Sequence, residues 1–161
     1  MNDVELKIVE KKDVSILYEL LKELAIDLGK SHEFKSSVQD IEKFGFSQPP
    51  SFEAIMAWHN DQPIGLILFF YEFSTWRGTP GLYVQDLFVS AQARTMGLGK
   101  KLISAAIARG QERGATYMRL ALHEGNEAGL GFYKSIGFEA VSGETTLKLE
   151  FNQKIMNEDE K

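Results

Sequence analysis

The segment from Leu87 to Leu102 is the feature that most constrains what this chain can fold into. It reads LFVSAQARTMGLGKKL, in which a strand-like apolar stretch leads through a turn containing Gly97 and Gly99 into a helical pattern. Glycines let backbone N–H groups approach a ligand closely, and the start of a helix adds unpaired donors and a partial positive charge. The segment therefore predicts an anion-binding turn between a strand and a helix.

Spacing excludes two common phosphate-binding motifs at this turn. A Walker A loop needs a glycine five positions before Gly99 and a Ser or Thr after the lysine, but Arg94 and Lys101 occupy those positions. A dinucleotide-binding fingerprint needs a third glycine three positions after Gly99, where this chain has Leu102. A tight turn without a ligand also accounts for the glycine pair taken alone, so that interpretation stays open.

The remaining hydrophobic pattern predicts an α/β protein. Apolar or alternating stretches predict strands at Glu5 to Val9, Phe52 to Trp58, Pro63 to Phe73, Gly81 to Val89, Tyr117 to Leu122, Phe138 to Val141 and Thr145 to Phe151. Helical spacing predicts helices from Asp13 to Leu28, Ser37 to Phe44, Leu98 to near Gly114, and Asn126 to Ile136. Because strands precede, separate and follow the helices, we expect a mixed sheet.

Composition limits the domain count and the chemistry. With 161 residues, of which 43% are hydrophobic, the chain has apolar material for one ordinary core, and we predict a single domain over residues 1–161. It has no cysteine, which excludes disulfides, thiolate metal sites and a cysteine nucleophile. Any group transfer must therefore proceed without a thiol intermediate on the enzyme.

Charge and hydropathy limit the partners. A formal net charge of −5 argues against nucleic-acid binding, because phosphate affinity depends mainly on clustered Lys and Arg. The longest apolar run, Ile64 to Tyr71, is far shorter than the roughly 20 residues that span a bilayer. We therefore expect a cytoplasmic protein that binds neither nucleic acid nor a membrane.

Two segments resemble the GNAT superfamily of N-acetyltransferases. Arg94 to Gly99 fits Arg-x-x-Gly-x-Gly, which is similar to the pyrophosphate-binding motif of that family. Asn126 to Phe138 reads NEAGLGFYKSIGF and resembles the GNAT segment in which Asn, Ala and Phe-Tyr lead to a Gly-Phe pair. The resemblance implies the GNAT acyl-CoA N-acyltransferase fold, with a mixed, mostly antiparallel twisted sheet of about six or seven strands flanked by about four helices. It also implies acetyl-CoA as cosubstrate and no metal.

The resemblance assigns roles to individual residues. In the family the asparagine lies near the pantetheine arm and the tyrosine hydroxyl beside the thioester sulfur, which makes Tyr133 the expected proton donor to the departing thiolate. A helix N-cap at Asn126 and a half-buried aromatic at Tyr133 are the alternatives without a ligand. The implied cofactor-binding residues are Phe88, Val89, Arg94, Met96, Gly97, Leu98, Gly99, Lys100, Asn126 and Tyr133.

A narrower resemblance points to the spermidine/spermine and thialysine acetyltransferase branch, and it extends from Leu6 to about Phe151. In that branch a Trp-x-Gly turn precedes a strand reading Tyr-x-Glu-Asp, as Trp76 and the strand from Tyr83 do here. The polyamine type has an acid where this chain has Ser74, so the chain is more similar to the thialysine type. The implied acceptor-binding residues are Trp76, Tyr83, Gln85 and Asp86.

One departure from the branch concerns the general base. Gln85 replaces the expected Glu, and a carboxamide can hydrogen-bond an amine but cannot take its proton. Asp86 is the surviving acid, so we name Asp86 and Tyr133 as the catalytic candidates. Strand alternation places Asp86 on the opposite face from Gln85 unless a bulge changes the direction of the chain.

Three functions remain open from the sequence. The first is acetyl transfer from acetyl-CoA to a small primary amine, by direct attack of the amine on the thioester. The second is acetylation of peptide or protein amines, since the fold does not determine the acceptor. The third is a non-catalytic acyl-CoA-binding module, which the loss of the acid at Gln85 suggests. The branch also implies a homodimer, paired through the C-terminal region.

Overall fold

The computed structural model describes residues 3–151. The chain has two compact units, one ending at His123 and one beginning at Glu124. In the part of the chain that is described, none of the helices combines the length and apolar character needed to cross a membrane.

The first unit contains a five-stranded sheet in the order β1-β2-β3-β4-β5. Its strands are β1 Val4–Ile8, β2 Glu53–His59, β3 Gln62–Ser74, β4 Thr79–Val89 and β5 Met118–Leu120. The pairs from β1 to β4 are antiparallel, and β4 pairs with β5 in parallel. The predicted mixed, mostly antiparallel α/β sheet is therefore confirmed.

Local sequence signals explain where the helices begin and end. The helices are α1 Val14–Asp27, α2 Val38–Gly45, α3 Leu98–Glu112 and α4 Glu127–Ser135. Gly29 follows α1 with φ of 68°, a conformation that favours glycine and ends the helix. Ser37 caps α2, because its Oγ accepts from the Asp40 amide at 3.1 Å while the Asp40 carboxylate accepts from the Ser37 amide at 2.9 Å.

Helices cover both faces of this sheet. On one face α1 and α2 pack over the apolar cluster Val14, Leu17, Leu20, Leu21, Ile41, Ala54, Met56, Leu66, Leu68 and Phe88. On the other face α3 contacts β2, β3 and β4. It approaches β4 so closely that a Cβ added at Gly110 would lie 2.8 Å from Leu82 Cδ1. This close packing fixes the C-terminal part of α3 against β4.

The second unit corrects one prediction. It contains α4, but the described residues after it form no strand, so the pair predicted at Phe138 to Val141 and Thr145 to Phe151 is not found. The described sheet therefore has five strands where six or seven were expected. Alternating apolar residues indicate a strand only where one face becomes buried, and here Leu147 is 87% exposed and Phe151 is 94% exposed.

Candidate active site

A β-bulge interrupts β4 at Gln85. Val84 pairs with Phe69 and Asp86 pairs with Leu68, so Gln85 has no opposite residue on β3. The parallel pairing of β4 with β5 also ends at Val84. In the unit that ends at His123, β4 therefore extends from Gln85 to Val89 without pairing to β5. In sheets with parallel strands, ligands bind at the carboxyl ends of strands where neighbours diverge, so this end of β4 is a candidate site.

The bulge brings Tyr83 and Asp86 to the same face of the sheet. Directly paired residues share a face, and Tyr83 pairs with Phe70 while Asp86 pairs with Leu68, two positions along β3. Regular alternation would have placed Tyr83 and Asp86 on opposite faces. Strand alternation allowed Asp86 to lie on the expected face only if a bulge interrupted the strand. The structure contains that bulge.

Asp86 lies in an environment that suits a base. Its side chain is half-buried, and no ion pair with Asp86 occurs among the described residues. Burial raises the pKa of Asp86 from 3.8 to about 6. A carboxylate with a pKa near 6 is still mostly ionised at neutral pH, yet accepts a proton more readily than an ordinary aspartate.

The turn between β4 and α3 has the geometry of an anion cradle. Gly97 precedes α3 with φ of 71°, and no heavy atom lies within 4 Å of the position that a Cβ would occupy there. The Lys101 amide donates to the Gly97 carbonyl at 3.3 Å, which leaves the preceding amides at the helix start without a carbonyl inside the helix. Open space over a left-handed glycine and unpaired amides fits a group rich in anionic oxygens.

Side chains around the turn also suit a diphosphate, because they add positive charge and a hydroxyl group. Lys100 and Lys101 are exposed and add positive charge. Ser90, which follows β4, is 5% exposed, and its Oγ has no hydrogen-bond partner among the described residues. Phe88 and Leu98 are buried in the core, so their side chains are not open to a ligand.

Arg94 has partners within the protein. One guanidinium nitrogen lies 2.8 Å from the Asp27 carboxylate at the end of α1, and its Nε donates to the Val89 carbonyl at 3.1 Å. These contacts fasten the loop to α1 and to the end of β4. Arg94 therefore positions the turn, and any contact with a phosphate competes with Asp27.

The predicted acceptor residues do not all share one environment. Trp76 is 100% exposed in the turn between β3 and β4, and Gln85 is exposed at the bulge. Tyr83 stacks on Phe70 with ring centroids 5.0 Å apart, and the Arg119 guanidinium lies 5.1 Å from the Tyr83 centroid. The Tyr83 ring thus already lies against a cationic side chain of the protein.

Arg119 is an important residue that sequence reasoning did not identify. It is paired with Glu72, and one of its nitrogens donates to the Glu72 carboxylate at 2.8 Å. The hydrogen bond from Arg119 lowers the pKa of Glu72 below its usual 4.5, so Glu72 is a poor base. The signal that could have found the pair is the alternation of β3, which places Glu72 on the Tyr83 face.

The second unit contains the other two predicted residues. Asn126 is the N-cap of α4, where its Oδ1 accepts from the Gly129 amide at 2.9 Å. Tyr133 packs against Phe132 and Phe138 with centroids 5.1 and 5.3 Å away, and burial raises its pKa above the usual 10. The cap fixes the orientation of the Asn126 amide, and a raised pKa keeps the Tyr133 hydroxyl protonated at neutral pH.

Comparison with known proteins gives one family match. A family model described as the acetyltransferase (GNAT) family matches residues 15–138. The matched range includes the bulge, the glycine turn and Tyr133.

Similar proteins support that match. Thialysine N-epsilon-acetyltransferase of Mus musculus is 26% identical over 167 residues, covering 98% of each chain. Spermidine/spermine N(1)-acetyltransferase-like protein 1 of Homo sapiens is 22% identical and covers 89% of this chain but 22% of its own length. A solved structure of an integron cassette protein from V. cholerae has a TM-score of 0.77 at 23% identity, covering 94% of this chain and 95% of that one. At that identity the structural likeness shows the fold alone.

Proposed function

Since the chain belongs to the acetyltransferase (GNAT) family, we propose that it transfers the acetyl group of acetyl-CoA to a small primary amine such as thialysine, lysine or a short diamine. The observation that carries this proposal is the junction of the β4 bulge with the glycine turn. It combines a half-buried carboxylate at Asp86 with an anion cradle at Gly97. These are the two groups that direct acetyl transfer to an amine needs from this part of the chain.

The turn is proposed to hold the diphosphate of acetyl-CoA. The backbone of Gly97, Leu98 and Gly99 would supply amide donors, and Lys100 a positive charge, whereas the Met96 amide already donates to the Ala93 carbonyl at 3.2 Å. Bound acetyl-CoA supplies the activated acetyl thioester. Holding two reactants in attack geometry can contribute about 7 to 11 kcal/mol of the barrier, so anchoring one end of this substrate is a major part of the work.

Asp86 is proposed to receive the amine's proton, directly or through a water. An alkylammonium resembling the Lys side chain, with a pKa near 10.4, is mostly protonated at neutral pH. A half-buried carboxylate both attracts that cation and accepts its proton, whereas the Gln85 carboxamide can hydrogen-bond the amine but cannot take its proton. Tyr133 is proposed to donate a proton to the leaving thiolate, as its protonated phenol permits.

The acceptor is proposed to be small. Long polyamines carry several positive charges and need several matched carboxylates, but Ser74 and Gln85 replace two acids of the polyamine type. Glu72 is already paired with Arg119, whose own charge on the Tyr83 face disfavours a polycation. The mouse relative's name, thialysine N-epsilon-acetyltransferase, supports an acceptor of this size.

A homodimer is part of the same proposal. Val141, Leu147 and Phe151 are exposed in the second unit, and burying apolar side chains of this size against a second copy would be favourable. Light scattering at micromolar concentration should give twice the 18.1 kDa mass of one chain. A monomeric mass would overturn the proposed dimer and leave the proposed reaction untouched.

Thiol release from acetyl-CoA in the presence of amines tests the proposed activity. The panel should contain thialysine, lysine, short diamines, spermine and a peptide with one free amine. Turnover on thialysine, lysine or a diamine, with kcat/KM above that for spermine and the peptide, is the expected result. Spermine better by about tenfold or more would refute the small acceptor, since that ratio reverses the expected preference by more than 1 kcal/mol. Tight acetyl-CoA binding without turnover on any amine would instead favour an acyl-CoA-binding module.

A further inference from the structure

A second charged cluster lies at the other end of α3 from the glycine turn. Glu53, the first residue of β2, is 11% exposed in its side chain and is surrounded by donors. Arg109 contacts it at 3.0 and 3.3 Å, and Arg113 contacts it at 2.9 Å. The Tyr71 hydroxyl donates to it at 3.4 Å. We call these four residues the Glu53 cluster.

The Glu53 cluster has an excess of positive charge. Two guanidinium groups face one carboxylate, and the hydrogen bond that Arg109 donates to Glu53 raises the pKa of Arg109 above its usual value. Burial, followed by the nearby charge of Glu53, raises the pKa of Tyr71, so its hydroxyl stays neutral. The cluster therefore carries a net charge of about +1 in a chain whose formal net charge is −5.

Two cavities meet at this cluster. One of about 330 Å³ is lined by Glu53, Arg109 and Arg113 together with the apolar side chains of Ile8, Val9, Leu17, Phe46 and Phe52. The other, of about 360 Å³, is lined by Glu53 and Arg113 with Phe52, Phe70, Tyr71, Pro50 and Pro80. Each volume falls within the range of small-molecule sites, at its lower end. The shared wall places Arg113 beside both cavities.

Arg113 is the group able to bind a ligand. Its side chain is 50% exposed, and one of its nitrogens contacts Glu53 while its guanidinium lies 5.1 Å from the Tyr71 ring centroid. A guanidinium has five N–H donors in a planar fork that matches a carboxylate. Arg113 can therefore keep its contact with Glu53 and still donate to a second carboxylate.

We propose that these cavities bind a small organic carboxylate of single negative charge with an aromatic or aliphatic body. One carboxylate neutralises the excess charge of the Glu53 cluster, and the Phe and Pro side chains of the walls suit an apolar body. A cationic amine would meet two guanidinium groups, and inorganic phosphate would leave the apolar walls unfilled.

This site is distinct from the proposed acetyl-transfer site. Arg109 and Gly97 are 12 positions apart, which corresponds to about 18 Å along the α3 axis. Glu53 pairs with Phe69, which pairs with Val84, so Glu53 lies on the α3 face, whereas Asp86 lies on the opposite face. Neither Asp86 nor Gly97 lines either cavity, and the approach nearest to the acceptor residues is at Phe70, which lines the second cavity and stacks on Tyr83.

Titration of the 15N-labelled full chain with 4-phenylbutyrate, octanoate and the neutral 4-phenylbutyramide tests the proposal. Both carboxylates should shift amide signals of residues 46–53 and 109–113, and the amide should bind at least about fivefold more weakly because it lacks the charge. Acetyl-CoA should not displace either carboxylate. Absence of saturable shifts with both carboxylates, or equal affinity for the neutral amide, would overturn the proposal.

Two arginine variants form a matched pair. Arg113→Gln should weaken 4-phenylbutyrate binding by at least about tenfold, and Arg113→Lys should retain part of the affinity, because only the point charge is kept. Arg77→Gln removes another exposed arginine that lies over an aromatic ring, Tyr117, and should leave binding unchanged. Thermal unfolding shows whether each variant is folded. A folded Arg113→Gln protein that binds like the parent contradicts the assignment, even if acetyl transfer is normal.

Discussion

Two half-buried carboxylates, Asp86 and Glu53, occupy opposite situations in this molecule. Asp86 follows a bulge and has no ion pair among the described residues, and burial alone raises its pKa to about 6. Glu53 is held by two arginines and a tyrosine hydroxyl. Burial disfavours the charged form of a carboxylate that has no partner, so such a carboxylate accepts a proton more easily. The charge of a paired carboxylate is instead balanced by its partners. The contrast separates a carboxylate suited to catalysis from one that organises its neighbours.

The glycine turn and the Glu53 cluster also differ in the source of their positive charge. At the glycine turn the backbone contributes, through Gly97 and the amides at the start of α3, together with Lys100. Around Glu53 the positive charge comes from side chains on the last turns of α3, where cations also complement the helix dipole. A backbone-built site needs particular glycines, and a site built from side chains needs particular arginines. Substitutions can test each region without changing the other.

The largest expected effect is on the chemical step. Tyr133→Phe should lower kcat by about 10- to 1,000-fold with a much smaller change in the KM for acetyl-CoA, because the lost proton donor acts mainly in the transition state. Steady-state kinetics measures both constants, and binding of 4-phenylbutyrate at the Glu53 cluster should stay as in the parent. An unchanged kcat with chemistry rate-limiting would remove Tyr133 from the mechanism.

Asp86→Asn should stabilise the fold while lowering activity. The pKa of Asp86 is raised in the fold from 3.8 to about 6, so the folded state favours the protonated form. The parent is therefore most stable below pH 3.8 with respect to this group and loses stability as the pH rises to about 6. Removing the charge should add about 1 to 3 kcal/mol above that range.

Urea unfolding of the parent and Asp86→Asn between pH 4 and 8 measures this difference. It should grow as the pH rises through about 6 and then remain constant. A difference in the free energy of unfolding that is the same at every pH would mean that folding does not raise the pKa of Asp86.

Glu53→Gln should have the opposite effect on stability. It leaves Arg109 and Arg113 without their counter-charge, and we expect a loss of about 1 to 2 kcal/mol, because the half-exposed Arg113 keeps access to water. Urea unfolding at pH 7 is the measurement. Since the variant also removes the competing carboxylate, 4-phenylbutyrate should bind more tightly to it. A Glu53→Gln protein more stable than the parent would contradict the claim that the charge of Glu53, unlike that of Asp86, stabilises the fold.

The smallest effect concerns Arg94. Asp27→Asn removes the carboxylate that holds Arg94, and an exposed pair of this kind contributes about 0.2 to 1 kcal/mol. Acetyl-CoA should then bind about two- to fivefold more tightly, since Arg94 no longer has to leave a partner. Asp61→Asn, a neutralisation in the turn between β2 and β3, is the matched control. Weaker binding in Asp27→Asn would show that Asp27 positions the loop and does not compete with the cofactor.

The two regions also differ in how far the sequence predicts them. The glycine turn was predictable, because strand, glycines and helix lie within the local stretch from Leu87 to Leu102. From the sequence, a bulge near Gln85 was a possibility but could not be predicted, because the register depends on the pairing between β3 and β4. The Glu53 cluster was not predicted, because its members lie on three elements that are distant in sequence. The strand pair predicted after α4 was wrong, since alternation does not reveal whether a face becomes buried.

Isothermal titration of acetyl-CoA into matched glycine variants tests the central claim most directly. Gly97 and Gly29 have φ of 71° and 68°, and neither has a heavy atom within 4 Å of its potential Cβ, so valine imposes similar backbone strain at both. We predict that Gly97→Val weakens acetyl-CoA binding by at least about tenfold, while Gly29→Val binds like the parent. A folded Gly97→Val protein that retains the parent affinity would contradict the account and place the cofactor elsewhere.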